Sequence, residues 1–259
     1  MNQENLRGKD ASIRDEYVIR GQKKLADQVF ELRLSGDTRR ITAPGQFVQI
    51  ALPGFFLRRP ISVSDWDAEG MTLVYKTVGK GTGQLSRMKR GEKLDLLTGL
   101  GNGFTLDDLR PGPPPLVVGG GAGVPPLVGL TKALAAAGAK PVVILGFNTA
   151  AEVFYPEIFR QAGAARVCIT TVDGSRGIRG FVTEGLRGLE DSERYFACGP
   201  LPMLRALWQS LPGARGQLSF EERMACGFGA CMGCSCKTKD GDKRICKEGP
   251  VLSSDEILW

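Results

Sequence analysis

Cys226, Cys231 and Cys234 are separated by four and then by two residues, and Cys246 follows after eleven more. Thiolates at this spacing form the ligand loop of a plant-type [2Fe–2S] cluster. The run between them carries Gly227, Gly229 and Gly233, and a loop curling round a cluster needs positive φ values and backbone N–H groups aimed at sulfur. A structural zinc site is the alternative use of four cysteines, but zinc is usually held by two short cysteine knuckles. Here a single cluster of thiols is followed by one distant thiol. Cys236 leaves one ligand open, since it could replace Cys234, while the four-then-two spacing selects Cys226, Cys231, Cys234 and Cys246. A disulfide framework fits poorly, because the 7 cysteines in 259 residues are odd in number and sparse, with no secretory leader before them.

Composition narrows the chemistry further. The chain has no histidine, which removes Ser-His-Asp triads, Cys-His dyads, histidine metal sites and histidine proton shuttles together. Reactions here must be carried mainly by cofactors. Hydrophobic residues make up 42% and charged residues 24%, ordinary for a globular protein. The net charge of +6 is spread along the chain, without the aromatic and basic patterning of nucleic-acid binders. No apolar run is long enough to span a membrane. The polar residues 1–14 lack the apolar segment of a targeting peptide, so a reducing cytoplasm is the expected location.

Three further stretches must be positioned with the cysteines. Residues 15–109 read as short strands separated by Gly36-Asp37, Pro44-Gly45 and Pro53-Gly54, the pattern of a small antiparallel barrel. Within it, Arg58-Arg59-Pro60-Ile61-Ser62 places a guanidinium and a hydroxyl on an extended segment, suited to a pyrophosphate and a polar ring. Val74-Tyr75-Lys76 then leads to the glycine-rich turn that contains Gly81 and Thr82 and runs into a short helix. Its backbone N–H groups could cradle phosphate. Each feature alone is equally well a solvated arginine or a plain hairpin turn.

Residues 110–215 begin with a proline-rich linker and alternate strands with helices, the pattern of a doubly wound α/β sheet. The first strand runs into Gly119, Gly120, Gly121 and Gly123, followed by a helix ending at Gly138, a phosphate-binding arrangement. The strict G-x-G-x-x-G pattern fails, and no acidic residue follows at the dehydrogenase spacing. Further strands are expected at 141–147 and 166–173, with a helix around 152–162 between them. Cys198-Gly199-Pro200 ends another strand, where such sheets bind ligands. Arg176 and Arg179 suit a 2′-phosphate and Asp173 a free ribose, so NAD and NADP both stay open.

The order Arg59-Pro60-Ile61-Ser62, aromatic strand, Gly81-Thr82 turn and nucleotide fold resembles the ferredoxin-reductase family of flavoproteins. That resemblance implies FAD on Arg59, Pro60, Ile61, Ser62, Val74, Tyr75, Lys76, Gly81 and Thr82. Ile61 stands where the family often has a tyrosine that stacks on the flavin. It also implies a nicotinamide nucleotide on the glycine turn, with Cys198 as a catalytic residue facing the flavin beside Gly199 and Pro200. With the cysteine segment of residues 216–259 added, the chain after about residue 13 resembles the iron–sulfur electron-transfer subunits of class 1B dihydroorotate dehydrogenases. This implies FAD, one [2Fe–2S] cluster, NAD⁺ as acceptor and an FMN-containing catalytic partner in a two-plus-two heterotetramer. No poised general base is visible for substrate oxidation, which agrees with that chemistry lying on a partner. Lys237, Lys239, Lys243, Arg244 and Lys247 are either the rim of a docking face or a solvated loop. Related flavin subunits of sulfite reductase or ferredoxin:NADP⁺ transhydrogenase are the near alternatives, and a zinc-knuckle adaptor without activity is the distant one.

Overall fold

In the computed structural model the described residues are 13–107, 109 and 112–259. The expected N-terminal tail lies outside them up to residue 12, as do Arg110 and Pro111 of the linker.

Six strands close into an antiparallel barrel: β1 Ile13–Ala26, β2 Val29–Ser35, β3 Phe47–Ile50, β4 Arg59–Trp66, β5 Gly70–Lys76 and β6 Lys93–Leu100, in the order β1-β2-β5-β4-β3-β6. The barrel starts two residues before the expected boundary, because Ile13 already pairs with Thr98. Alternation along the strands fills its interior with Ile19, Leu32, Leu34, Val48, Ile50, Val63, Leu73, Leu94 and Leu96. The opposite face of β3 and β4 is left to meet the rest of the molecule. A short helix, α1 Lys80–Leu85, follows the glycine-rich turn as expected.

The second layer is a seven-stranded sheet made of β7 Leu116–Gly120, β8 Val142–Phe147, β9 Arg166–Thr171, β10 Ile178–Arg179, β11 Arg194–Cys198, β12 Arg215–Ser219 and β15 Val251–Ser253. Its order is β10-β9-β8-β7-β11-β12-β15, parallel except for β15. The strands are short, apolar and flanked by α2 Leu127–Ala136, α3 Pro156–Gln161 and α4 Leu201–Ser210. The helix expected around 152–162 is shorter, because Pro156 fixes its first turn and residues 150–152 form a separate 3₁₀ turn. The chain winds from β7 to one side and then crosses back to β11, so the crevice between these two strands is the topological switch point.

The expected boundary at 215/216 falls at the start of a sheet strand. β12 extends the parallel sheet to Ser219, and β15 returns to pair with it. Between them lie the cysteine loop and a small hairpin, β13 Ser235–Thr238 with β14 Gly241–Arg244. This segment shares one apolar core with the sheet, in which Cys234, Ile245 and Cys246 pack with Leu218, Leu252 and barrel residue Phe47.

Candidate functional site

The cysteine loop folds its thiols into two pairs. Cys226 is paired with Cys231 and Cys234 with Cys246, each pair linked by a backbone N–H aimed at a sulfur. Among the described residues no three such side chains converge on a single metal position. Two pairs are the ligand arrangement of a two-iron cluster, one pair per iron. Backbone N–H groups of Ala230 and Cys231 point at the Cys226 sulfur from 3.3 and 3.5 Å, Gly229 N–H at Cys246 from 3.1 Å, and Cys246 N–H at Cys234 from 3.4 Å. Burial pushes the Cys226 thiol up, but the N–H groups of Cys231, Phe228 and Ala230 outweigh it and hold the thiol at about 6. Burial and the Cys234 thiol push Cys246 up to about 12. Thiols crowded this way need a cationic centre to ionise together, which an iron–sulfur cluster supplies.

Gly227 and Gly229 take the left-handed conformations that the loop demands, at φ 80° and 89°. The expectation for Gly233 fails, because the left-handed residue of that turn is Met232 at φ 59°. Cys236 lies on β13 opposite Lys243, its thiol raised chiefly by burial, while Cys234 is the thiol that touches Cys246. The expected cationic rim is partly spent internally. Lys243 pairs with Glu256 and Arg244 with Glu248, and Arg244 also donates to the Gly229 carbonyl at 2.8 Å, bracing the loop from behind. The loop's outer edge is apolar, with Phe228 and Met232 exposed beside Cys231.

On the barrel, the two neighbouring arginines have different tasks. Arg58 is committed to Asp95 at 2.9 Å and to the carbonyls of Gln49 and Asp95. Arg59 stacks over the Phe55 ring at 4.6 Å, donates to the Leu57 carbonyl and forms no ion pair among the described residues. Its guanidinium also lies against Gly81, where a Cβ would strike it. The structure therefore joins Arg59 and the glycine turn into one anion-ready corner. Thr82 shapes that turn, its hydroxyl accepting from Val78 N–H at 3.0 Å. Pro60 and Ser62 face outward opposite Gln49 and Phe47, whereas Ile61 packs on the barrel interior. Tyr75 lines the cleft together with Val74 and Lys76, and its ring is stacked on Phe30 with its hydroxyl donating to Gln22.

That cleft, of about 90 Å³, lies where the barrel meets the sheet and is lined by Val29, Val74 and Lys76 on one side and Gly121, Phe147 and Phe154 on the other. The four glycines of the turn divide by cause. A Cβ at Gly119 would meet Val124 and Leu127, one at Gly120 Met203, and one at Gly123 the Cys198 carbonyl, so these three allow close packing. Gly121, at φ 52°, faces open space, where a Cβ would meet no protein atom. Cys198 pairs with Gly119 in register, so Cys198-Gly199-Pro200 and the glycine turn stand side by side at the switch point. The Cys198 thiol is buried and pushed up to about 12 by burial and by Glu221. Asp173 is engaged with Ser175 in the β9–β10 loop, while Arg176 donates its N–H to Thr171.

The family model for the iron–sulfur cluster binding domain of dihydroorotate dehydrogenase B matches residues 221–258. The dihydroorotate dehydrogenase B (NAD⁺) electron transfer subunit of Lysinibacillus sphaericus is 42% identical over 95% of this chain and 99% of its own length. The chain belongs to the dihydroorotate dehydrogenase B electron transfer subunit family. The Fusobacterium nucleatum member is 39% identical over 94% of this chain and 98% of its own. Among solved structures, an NADH-dependent reduced ferredoxin-NADP oxidoreductase matches this electron transfer subunit with TM-score 0.83 and 29% identity, over 94% of this chain and 90% of that one. A ferredoxin NADP⁺ reductase from Neisseria gonorrhoeae shares the fold at TM-score 0.65 and 18% identity, over 78% and 91% of the two chains. The ferredoxin-reductase-like architecture expected from the sequence is thus the one observed. Neither related complexes nor a zinc adaptor is favoured, since the relatives named for dihydroorotate dehydrogenase B match over the full length.

Some residues of this electron transfer subunit escaped sequence reasoning. Asn102 staples the barrel's exit to the cluster segment, donating to the carbonyls of Glu248 and Val251 at 2.9 and 2.7 Å and accepting from Val251 N–H at 3.1 Å. Gln49 sits against Gly227 with both of its amide atoms unpartnered. A lone asparagine or glutamine carries no spacing signal, so neither was legible.

Proposed function

We propose that this chain carries electrons between a catalytic partner subunit and NAD⁺, with FAD held on the barrel, the nicotinamide nucleotide at the β7/β11 crevice and the cluster on residues 221–258. When bound, FAD and the [2Fe–2S] cluster supply the one- and two-electron chemistry that joins the partner to NAD⁺. The observation that carries this reading is the paired thiol loop, with four N–H···S contacts, packed directly on the barrel and sheet of a ferredoxin-reductase-like fold.

The chain's own residues divide the work. Cys226, Cys231, Cys234 and Cys246 are the cluster ligands, and the N–H groups aimed at their sulfurs stabilise negative charge there. Arg59, with the turn at Gly81 and Thr82, binds the pyrophosphate of FAD, while Pro60, Ile61, Ser62, Val74, Tyr75 and Lys76 form the strands along which the flavin lies. Gly119, Gly120, Gly121 and Gly123 admit the nucleotide, with Gly121 the one in direct reach. Cys198, Gly199 and Pro200 close the end of that crevice, and the buried Cys198 helps exclude water. The exposed Phe228 and Met232 beside Cys231 mark the face that meets the partner. In this reading the partner carries FMN, two copies of each subunit assemble, and the complex works in a reducing cytoplasm that keeps the ligand thiols available.

Anaerobic co-expression with a candidate dihydroorotate dehydrogenase catalytic subunit tests the reading. It predicts a flavin spectrum and about two irons per chain, both bleached by NADH. A colourless protein holding one zinc would overturn it.

A further inference from the structure

Gln49 is an interior amide with nothing to bind. Strand alternation in β3 turns Val48 and Ile50 into the barrel and Gln49 out of it, yet Gln49 is 0% exposed because the cluster segment covers it. Neither Nε2 nor Oε1 has a hydrogen-bond partner among the described residues. A buried amide left unpaired is destabilising, and native interiors rarely tolerate one unless a bound group completes the site.

Its surroundings show which group. Nε2 is the amide atom nearest Gly227, the residue after the ligand Cys226, and a Cβ at that position would fall 2.6 Å from it. Glycine at 227 thus admits the amide as well as turning the loop. Across the strands Gln49 is flanked by Pro60 and Leu97, neither of which offers a side-chain donor or acceptor. Arg58 donates to the Gln49 backbone carbonyl at 3.3 Å, which fixes the strand without satisfying the side chain. On the side covered by the cluster segment, the amide faces the turn that directly follows the ligand Cys226.

Resting on the cluster reading above, we propose that Gln49 donates its amide N–H to the cluster's sulfur shell beside Cys226 and thereby raises the cluster's reduction potential. An N–H···S bond stabilises the more negative, reduced form more than the oxidised one, so removing it lowers the potential. Gln49 would be a contribution from the flavin-bearing barrel to the electronics of a cluster whose ligands all come from another segment.

The test uses the assembled holo complex. Gln49→Leu is compared with wild type by iron and flavin content and by a redox titration followed by electron paramagnetic resonance. The expected result is unchanged flavin content and a cluster that is three- to tenfold harder to reduce, at most about 59 mV for this one-electron couple. An unmoved cluster potential, or a shift confined to the flavin, overturns the proposal. Should Gln49→Leu fail to hold iron, Gln49→Met keeps the length without the donor. In wild type labelled with ¹⁵N at glutamine amides, the reduced cluster should show a weak nitrogen coupling, and a loaded cluster without it also overturns the proposal. Wild type lacking two irons would instead sink the cluster reading itself, so the two failures are distinguishable.

Discussion

The Tyr155 hydroxyl donates to Glu31 at 2.7 Å, tying the cap of α3 in the nucleotide-binding layer to a buried carboxylate on barrel strand β2. Glu31 is also held by Arg33 at 2.9 Å. Burial and the Glu31 charge raise the tyrosine's pKa, so it remains a donor throughout the physiological range. Tyr155 follows Phe154, which lines the cleft between the two layers, so the bond fixes the cleft wall against the barrel. Tyr155→Phe should cost about 1.5–3 kcal/mol, the range for a bond to a charged group. It should also raise the KM for NADH severalfold with flavin content unchanged. Urea unfolding and steady-state kinetics measure both, and unaltered values in each would refute the tie.

Arg58 and Arg59 should part in mutagenesis. Arg58→Ala removes the Asp95 pair and two carbonyl contacts and is expected to destabilise the barrel by about 1–3 kcal/mol. Arg59→Ala, alone or with Ser62→Ala, should leave the melting temperature of the apoprotein nearly unchanged while flavin is lost on gel filtration. Equal flavin retention in all variants would contradict the assignment of Arg59.

The glycine turn offers a second separation. Gly123→Ala drives a Cβ into the Cys198 carbonyl and should prevent stable folding, seen as insoluble expression. Gly121→Ala meets no protein atom but sits at positive φ, and should cost about 1 kcal/mol while weakening nicotinamide binding. Nucleotide affinity equal to wild type would show that Gly121 does not face the ligand.

Asn102→Ala severs the staple between barrel and cluster segment. Three side-chain hydrogen bonds are lost, so a penalty of about 2–4 kcal/mol is expected. Amide exchange should quicken around Cys246 before it does so in the barrel. Uniform exchange across the chain would argue that the segment is held by other contacts.

Acid should act through Asp95. Burial would raise its pKa, but Arg14 and Arg58 overrule it and hold the carboxyl below the usual aspartate range. A depressed folded-state value means stability that is complete above the unfolded pKa, near 3.9, and is lost as pH falls through the lower folded value. Asp95→Asn should therefore flatten the stability profile below about pH 4. A wild-type slope in the variant would assign the acid sensitivity elsewhere.

The sequence reveals what is written in spacing. The thiols of Cys226, Cys231, Cys234 and Cys246 fall together as their intervals demand, and the alternation of β2 and β3 defines the barrel. It does not reveal what depends on contact. Gly119, Gly120 and Gly123 read as a phosphate turn in one dimension, and the fold adds a packing demand on them, because the carbonyl of Cys198 and the side chain of Met203 arrive from far along the chain. Spacing did not show that the Tyr75 ring packs on the barrel interior with its hydroxyl on Gln22, contacts set by strands far apart in sequence. β15 was hidden because three residues make a strand only when an edge such as β12 is waiting.

The return of the chain to that edge gives the cysteine segment the character of a cassette. Phe220 N–H donates to the Pro250 carbonyl at 2.9 Å, so the polypeptide leaves the sheet and re-enters it at a single doorway. Lengthening or shortening what lies between alters loop closure only logarithmically and leaves the register of β12 and β15 untouched. The redox segment is thus a stretch of about thirty residues hung between two paired strands, anchored to the framework at its ends and through the core it shares with Phe47 and Leu218.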